Sequence, residues 1–402
     1  MGNLNLLSVS MPVRMFEPRS YLQKLADVWV YPAFLARAAD PATPPALRLQ
    51  LVATWFVAGL QHVYQSWRKP FNPVLGETWA AALGDGTRIW MEQVAHHPPV
   101  SAFEMHGPGG AYTFTGISQP DVSYKGADVK TTAKGTRRLT FAADDGSGRG
   151  AISIAYPHYW MRGVIGSGLP RGEMVGTATL TYEGAGLVCE LTFGRSPHPA
   201  DRGDALLQRA DTVTGRVLRR GPGAAATAGT PSSLGSSFSS GRGLKGSRTS
   251  LSAFASALGG SSVGGGPGSS SSACGTPPAG RAGEEVLATC KGNWLSHLDW
   301  EGERAWTLMA DAPAQWVADA VAGQAGPAGS ALCPPPAAVL LSDAGLRPDL
   351  ALLAAALPAD GSFAFDPVAV AASQKAKEAL EMKQRADAKL RKEGRAAVGL
   401  KD

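Results

Sequence analysis

The stretch Glu92-Gln93-Val94-Ala95-His96-His97-Pro98-Pro99-Val100-Ser101 starts as a strand and ends in two adjacent histidines locked by two prolines. Proline removes a ladder donor, so regular pairing stops there. Successive side chains on a strand point to opposite faces, and the two imidazoles can share a task only if the backbone twists at the Pro98-Pro99 pair. Three chemistries use such imidazoles. Zinc wants three or four protein ligands, and His62, His106, His158, His198 and His297 show no short ligand spacing with the pair. Acid/base work needs a nucleophile or metal cluster that no phrase of the chain supplies. Phosphate binding needs only the rings and further cations, because a phosphate monoester favours the protonated imidazole and its two N–H donors. The bland alternative is a pair of half-exposed turn residues.

Outward from this stretch, the segments Thr87 to Val94, Ala111 to Ile117, Arg138 to Phe141, Ala151 to Ala155 and Val175 to Tyr182 alternate with a period of two between Gly, Pro and Asp clusters. They predict short antiparallel strands, and so many in one domain favour a sandwich or a barrel. Before them, Tyr21, Leu22, Leu25, Val28 and Trp29, then Leu47, Leu51, Trp55, Val57 and Leu60, recur at helical spacing. Residues 221–280 differ in kind. Gly, Ser and Ala make up 40 of these 60 residues and none is acidic, a composition expected to stay disordered. Strand-like sequence resumes near Val286, and the chain ends in a helical run from Pro367 to about Arg395.

The 402 residues exceed a disulfide-stapled miniprotein, and 49 Gly with 29 Pro exclude an all-helical one. Cys189, Cys274, Cys290 and Cys333 form no zinc-type spacing, which predicts reduced thiols and an intracellular, cytoplasmic protein. No apolar run reaches the 18 or so residues of a spanning helix, so any membrane contact is expected to be peripheral. A formal charge of +5 suits an anionic partner.

Three further phrases stand out. Lys69-Pro70-Phe71-Asn72-Pro73-Val74-Leu75-Gly76-Glu77 is a proline-stiffened turn with a lysine at its mouth. Leu346-Arg347-Pro348-Asp349 reads as a turn before a short helix. Lys377, Glu381 and Arg385, at i, i+4 and i+8, drift only about 80° around a helix and share one stripe. By itself each phrase is a turn or a solvated helix face.

In this order the four phrases resemble the lipid-binding domain of the oxysterol-binding-protein family, whose signature is the Glu92 to Pro99 phrase. Ala95 stands where that signature usually has Ser. The resemblance extends to residues 10–23, 156–176, 189–193 and 292–294. It implies a mainly β fold with flanking helices: a large incomplete antiparallel β-barrel enclosing a hydrophobic lipid tunnel, an N-terminal lid and helices, and a C-terminal helix. The expected organisation is a lid and entry segment over 1–20, N-terminal helices over 21–68, barrel over 69–205, the disordered insertion over 206–284, barrel again over 285–325 and a helical region over 326–402.

The resemblance also implies a non-enzymatic, cofactor-free and metal-free function. The tunnel would hold phosphatidylinositol 4-phosphate in exchange for a second lipid, a sterol or phosphatidylserine. His96, His97 and Arg385 would grip phosphate, Lys69 and Lys377 would add charge, and Glu381 would accept from ring hydroxyls. Asn72, Pro73, Pro98 and Pro99 would shape the supporting turns. The expected protein is a monomer that touches intracellular membranes transiently, at endoplasmic reticulum or Golgi contacts, and binds no nucleic acid. The rival readings are a phosphoinositide or sterol sensor or tether that does not transfer lipid, and a histidine-dependent lipid hydrolase or phosphatase.

Overall fold

The computed structural model describes residues 11–64, 68–142, 150–164, 170–196, 199–220, 284–321, 347–358 and 365–399. After a short strand β1 (Phe16–Ser20) come three helices, α1 (Tyr21–Ala26), α2 (Pro32–Ala39) and α3 (Pro45–Leu60). Prolines open α2 and α3, where the missing N–H costs nothing. A capping box of Ser20 and Gln23 starts α1. Strand β2 (Lys69–Phe71) pairs in parallel with β1, apart from the main sheet.

The main sheet has fourteen strands. They are β3 (Thr78–Ala82), β4 (Arg88–His96), β5 (Pro99–His106), β6 (Tyr112–Lys125), β7 (Asp128–Lys134), β8 (Arg137–Phe141), β9 (Ile152–Ala155), β10 (His158–Arg162), β11 (Arg171–Tyr182), β12 (Leu187–Phe193), β13 (Thr212–Arg220), β14 (Glu284–Asn293), β15 (His297–Trp300) and β16 (Glu303–Thr307). All of its pairings are antiparallel. The long strands β6 and β11 each pair with two partners in succession, β8 then β7 and β10 then β9, so the wall forks between them. The end strands β3 and β16 do not pair. Instead the chain beyond β16 returns to the β3 edge through one antiparallel bridge, Ala82 to Val317. The barrel is therefore incomplete, as expected, and a single bridge covers its exposed edge.

Helix α3 packs on strands from β11 to β16 and is buried on almost every side, with twelve of its sixteen residues covered. Gly59 lets the turn at residues 27–29 approach α3 closely, because a Cβ there would lie 1.8 Å from the Val28 carbonyl oxygen. Trp29, Trp55, Trp294 and Trp306 are fully buried in the same core, and Trp300 Nε1 donates to Thr54 Oγ1 at 3.0 Å. This part of the barrel is filled.

The wing formed by the second half of β6, β7, β10 and the first half of β11 is packed differently. Directly opposed residues share a face, which sets Val122, Thr131, Tyr159 and Met174 in one row and Tyr124, Val129, Met161 and Gly172 in the next. Met174 belongs to the main core, so these rows face inward. Yet neither β7 nor β10 contains a buried residue, whereas β12 alternates buried and half-buried positions. An apolar inner face is left half covered among the described residues.

Two helices complete the fold, the short α4 (Pro348–Ala355) and the long α5 (Pro367–Ala397). With Val13, Phe16 and Phe71 they build a second small core. Two boundaries move relative to the sequence reading. Residues 212–220, assigned to the insertion, are the interior strand β13, whose Val213, Val217 and Leu218 are buried. Residues 16–20, assigned to the lid and entry segment, are the strand β1 in that second core. The lid over 1–10, the insertion over 221–283 and the connection over 322–346 lie outside the described residues.

Candidate functional site

The hairpin β4–β5 ends in a two-residue loop, His97-Pro98, with His96 paired to Pro99 and the His97–Pro98 peptide cis. A bulge leaves Val94 unpaired between Gln93 and Ala95, and bulges re-aim the side chains beyond them. The twist that brings the rings together thus comes from the bulge and the loop. Their centroids lie 4.7 Å apart at 71°, His96 half-buried and His97 exposed. Buried Gln93 fixes this end of the hairpin: its amide donates to the Ala95 carbonyl at 2.6 Å and accepts from Ser101 Oγ at 2.6 Å.

The proline-stiffened turn docks on the same strand. Gly76, at φ +79°, donates to the Gln93 carbonyl, and Gln93 N–H donates to that of Glu77, each at 2.9 Å. The first two phrases are therefore one hydrogen-bonded unit. Asn72 is exposed at the turn and accepts from Lys69 Nζ, while Pro73 is buried.

Helix α5 brings in the third group. Lys69 Nζ and Lys377 Nζ stand 5.1 and 5.5 Å from the centroid of the same ring, Phe16, and Phe16 packs on Phe71 at 4.8 Å. Lys377 is buried and donates to Glu381 at 2.5 Å, and Arg385 reaches Glu381 at 3.4 Å from an exposed position. Burial and the neighbouring Lys377 charge push the Lys69 ammonium down to about 8, only partly offset by Glu381. His96 is also held below its ordinary value, by burial, by His97 and by Arg391, against a hydrogen bond to the Pro73 backbone. An added anion would reverse these shifts, so binding one takes up protons.

The structure places Lys69, Asn72, Lys377 and Glu381 together, and His96 beside His97 and Pro73. Pro98 and Pro99 form the loop and the first rung of β5. Arg385 projects to solvent, and the guanidinium that acts on His96 is that of Arg391, four turns beyond Lys377 on the same stripe.

Spacing also gave no sign of the support beneath. Arg347 is fully buried and binds both Asp349 oxygens at 3.0 and 3.1 Å as well as Glu77, 270 residues away in sequence. Glu77 in turn accepts from Val74 N–H at 2.9 Å. The Asp349 carbonyl accepts from Ser373 Oγ on α5, one turn before Lys377, at 2.7 Å. One buried ion cluster thus fastens the turn, α4 and α5 to each other. The only signal for it was the presence of Glu77, Arg347 and Asp349 within the quoted phrases.

The family model for the oxysterol-binding protein matches residues 2–227. Oxysterol-binding protein 9 of Dictyostelium discoideum is 33% identical over 216 residues, which cover 53% of this chain and 49% of that protein. Human oxysterol-binding protein-related protein 1 is 37% identical over 137 residues, 34% of this chain and 14% of the relative. The chain thus spans about half the length, or less, of these curated relatives. Among solved structures, the Osh3 ORD from Saccharomyces cerevisiae in complex with PI(4)P superposes with TM-score 0.59 at 19% identity, covering 98% of this chain and 82% of that one. The Osh1 ORD in complex with cholesterol gives 0.60 at 19% identity, covering 99% and 78%. The structural matches run past the end of the family match and extend the likeness of fold through α5. The family match itself takes in more than half of the chain, and this chain belongs to the oxysterol-binding protein family.

Proposed function

We propose that the chain binds one lipid at a time inside the incomplete barrel and carries it between membranes, taking phosphatidylinositol 4-phosphate in exchange for a second lipid, a sterol or phosphatidylserine. One observation carries this reading: two lysines share one aromatic face and one carboxylate, the pKa of Lys69 is pushed down to about 8, and the turn that begins at Lys69 meets His96 at Pro73. Cations crowded in this way favour a nearby anion, and a phosphorylated headgroup supplies one. Lys69 and Lys377 meet phosphate, Glu381 accepts from ring hydroxyls, and His96 and His97 grip the ring phosphate, which Arg385 reaches only by turning in from its exposed position. The turns of Asn72, Pro73, Pro98 and Pro99 hold these groups in place.

The half-covered inner face of the wing receives the acyl chains or the sterol. Carrying a two-chain lipid through water bare exposes some thirty methylenes at about 0.8 kcal/mol each, on the order of 20 kcal/mol, and an apolar interior removes that cost. No covalent step is involved. Contact with the cytosolic face of intracellular membranes is transient in this reading; no helix among the described residues is long and apolar enough to cross one. The crystallised relatives named above were solved with PI(4)P and with cholesterol, which supports the same pair of ligand classes here.

The test is transfer between two vesicle populations. The expected result is that the protein extracts phosphatidylinositol 4-phosphate from one and delivers it to the other, faster when acceptor vesicles carry the second lipid. Extraction without delivery makes the chain a sensor or tether, and release of free phosphate makes it an enzyme.

A further inference from the structure

Helix α5 carries its stripe past the residues discussed so far. Relative to Lys377, Glu381 is turned by about +40°, Gln384 by about −20° and Arg391 by about −40°, all on one face, whereas Arg385 lies about 80° away. The two ends of that stripe are located: Lys377 stands over Phe16 beside Lys69, and Arg391 is close enough for its charge to act on His96. Gln384 lies between them, on the side of the histidine hairpin. Its amide Nε2 is buried and has no hydrogen-bond partner. His96 Nδ1 is in the same condition. A buried amide donor without an acceptor is unfavourable and uncommon in folded proteins, and together with the unpartnered ring nitrogen of His96 it marks where an outside group completes the bonding.

We infer that Gln384 is a direct headgroup-binding residue, its side-chain amide donating to a phosphate or hydroxyl oxygen of the inositol headgroup between Lys377 and His96. This rests on the phosphoinositide reading above. As a neutral donor, Gln384 adds no repulsion to the lysine pair and serves to fix the ring's orientation rather than to draw it in. Lipids without that headgroup leave the amide unused.

The experiment compares wild type, Gln384→Met and Gln384→Glu for extraction from phosphatidylcholine vesicles carrying either phosphatidylinositol 4-phosphate or a fluorescent sterol, with the melting temperature of each lipid-free protein. Methionine keeps the length and apolar stem but removes the unpartnered donor. Gln384→Met is expected to melt at or above the wild-type temperature, lose about tenfold or more in phosphoinositide affinity and keep wild-type sterol extraction. Gln384→Glu is expected to lose still more, because a carboxylate repels phosphate. Unchanged phosphoinositide binding by Gln384→Met overturns the inference and leaves the proposed function standing. A lower melting temperature with equal loss of both lipids also overturns it, by assigning Gln384 to the fold. If wild type extracts no phosphoinositide at all, both fall.

Discussion

Two ionic clusters lie within one turn of α5 of each other and could hardly be more different. Around Arg347, one guanidinium meets two carboxylates, all three side chains are at most 2% exposed, and every contact is internal. Around Lys69, two ammoniums share one carboxylate, and the turn that begins at Lys69 meets His96, whose Nδ1 is unpartnered. The first cluster seals one guanidinium and two carboxylates inside the fold, an excess of one negative charge, and ties together segments 270 residues apart. The second crowds cations closely enough to push the Lys69 ammonium down to about 8, the kind of perturbation that gathers at functional sites. Their proximity is mechanical as well: Ser373 hangs α5 on Asp349, so the sealed cluster sets where Lys377 stands relative to Lys69.

Substitutions should separate the two. Removing the guanidinium of the sealed cluster, in Arg347→Met, strands two buried carboxylates and is expected to cost about 3–5 kcal/mol of stability, read as a large fall in denaturant midpoint. A stable Arg347→Met protein would mean that the cluster does not hold the helices. At the open cluster the pattern reverses. His96→Ala with His97→Ala, or Lys69→Met, is expected to abolish phosphoinositide extraction while stability and sterol binding are retained. Equal loss of both lipids would make these residues structural.

The pH dependence sharpens the contrast further. Lys69 titrates near 8 in the lipid-free protein against 10.5 ordinarily, and a bound phosphate restores the higher value. Phosphoinositide affinity should therefore fall about tenfold between pH 7 and pH 9, as the free protein loses a proton that the complex keeps. Lipid-free stability moves the other way: between pH 8 and 10.5 the unfolded chain binds more protons than the folded one, so stability rises with pH. Lys69→Arg, which keeps its charge across this range, should flatten both curves. The smallest effect is expected on the wing, where Val129→Thr adds one hydroxyl to the inner apolar face and should weaken both lipids alike by less than tenfold.

Much of this was legible from periodicity. Alternation located the strands between 87 and 182, and apolar crowding in residues 47–60 marked a helix that proves to be buried nearly all round. Strand β13 escaped because Thr212 to Arg220 mixes charges with apolar residues and runs straight into Gly/Ser-rich sequence, so composition overrode pattern. The bulge at Val94 is set by how β4 meets β5 and leaves no local sign. Of the candidate site, the histidines and the α5 stripe could be read from their phrases. The pairing of Glu77 with Arg347 and the approach of Arg391 to His96 depend on long-range packing, to which spacing is blind.

The most direct test is native mass spectrometry of the intact protein after incubation with vesicles containing both phosphatidylinositol 4-phosphate and sterol. The expected spectrum shows one lipid per chain, either one or the other, with His96→Ala/His97→Ala retaining only the sterol. A chain carrying both lipids at once, or a wild-type protein that never carries the phosphoinositide, would contradict a single interior guarded by the open cation cluster.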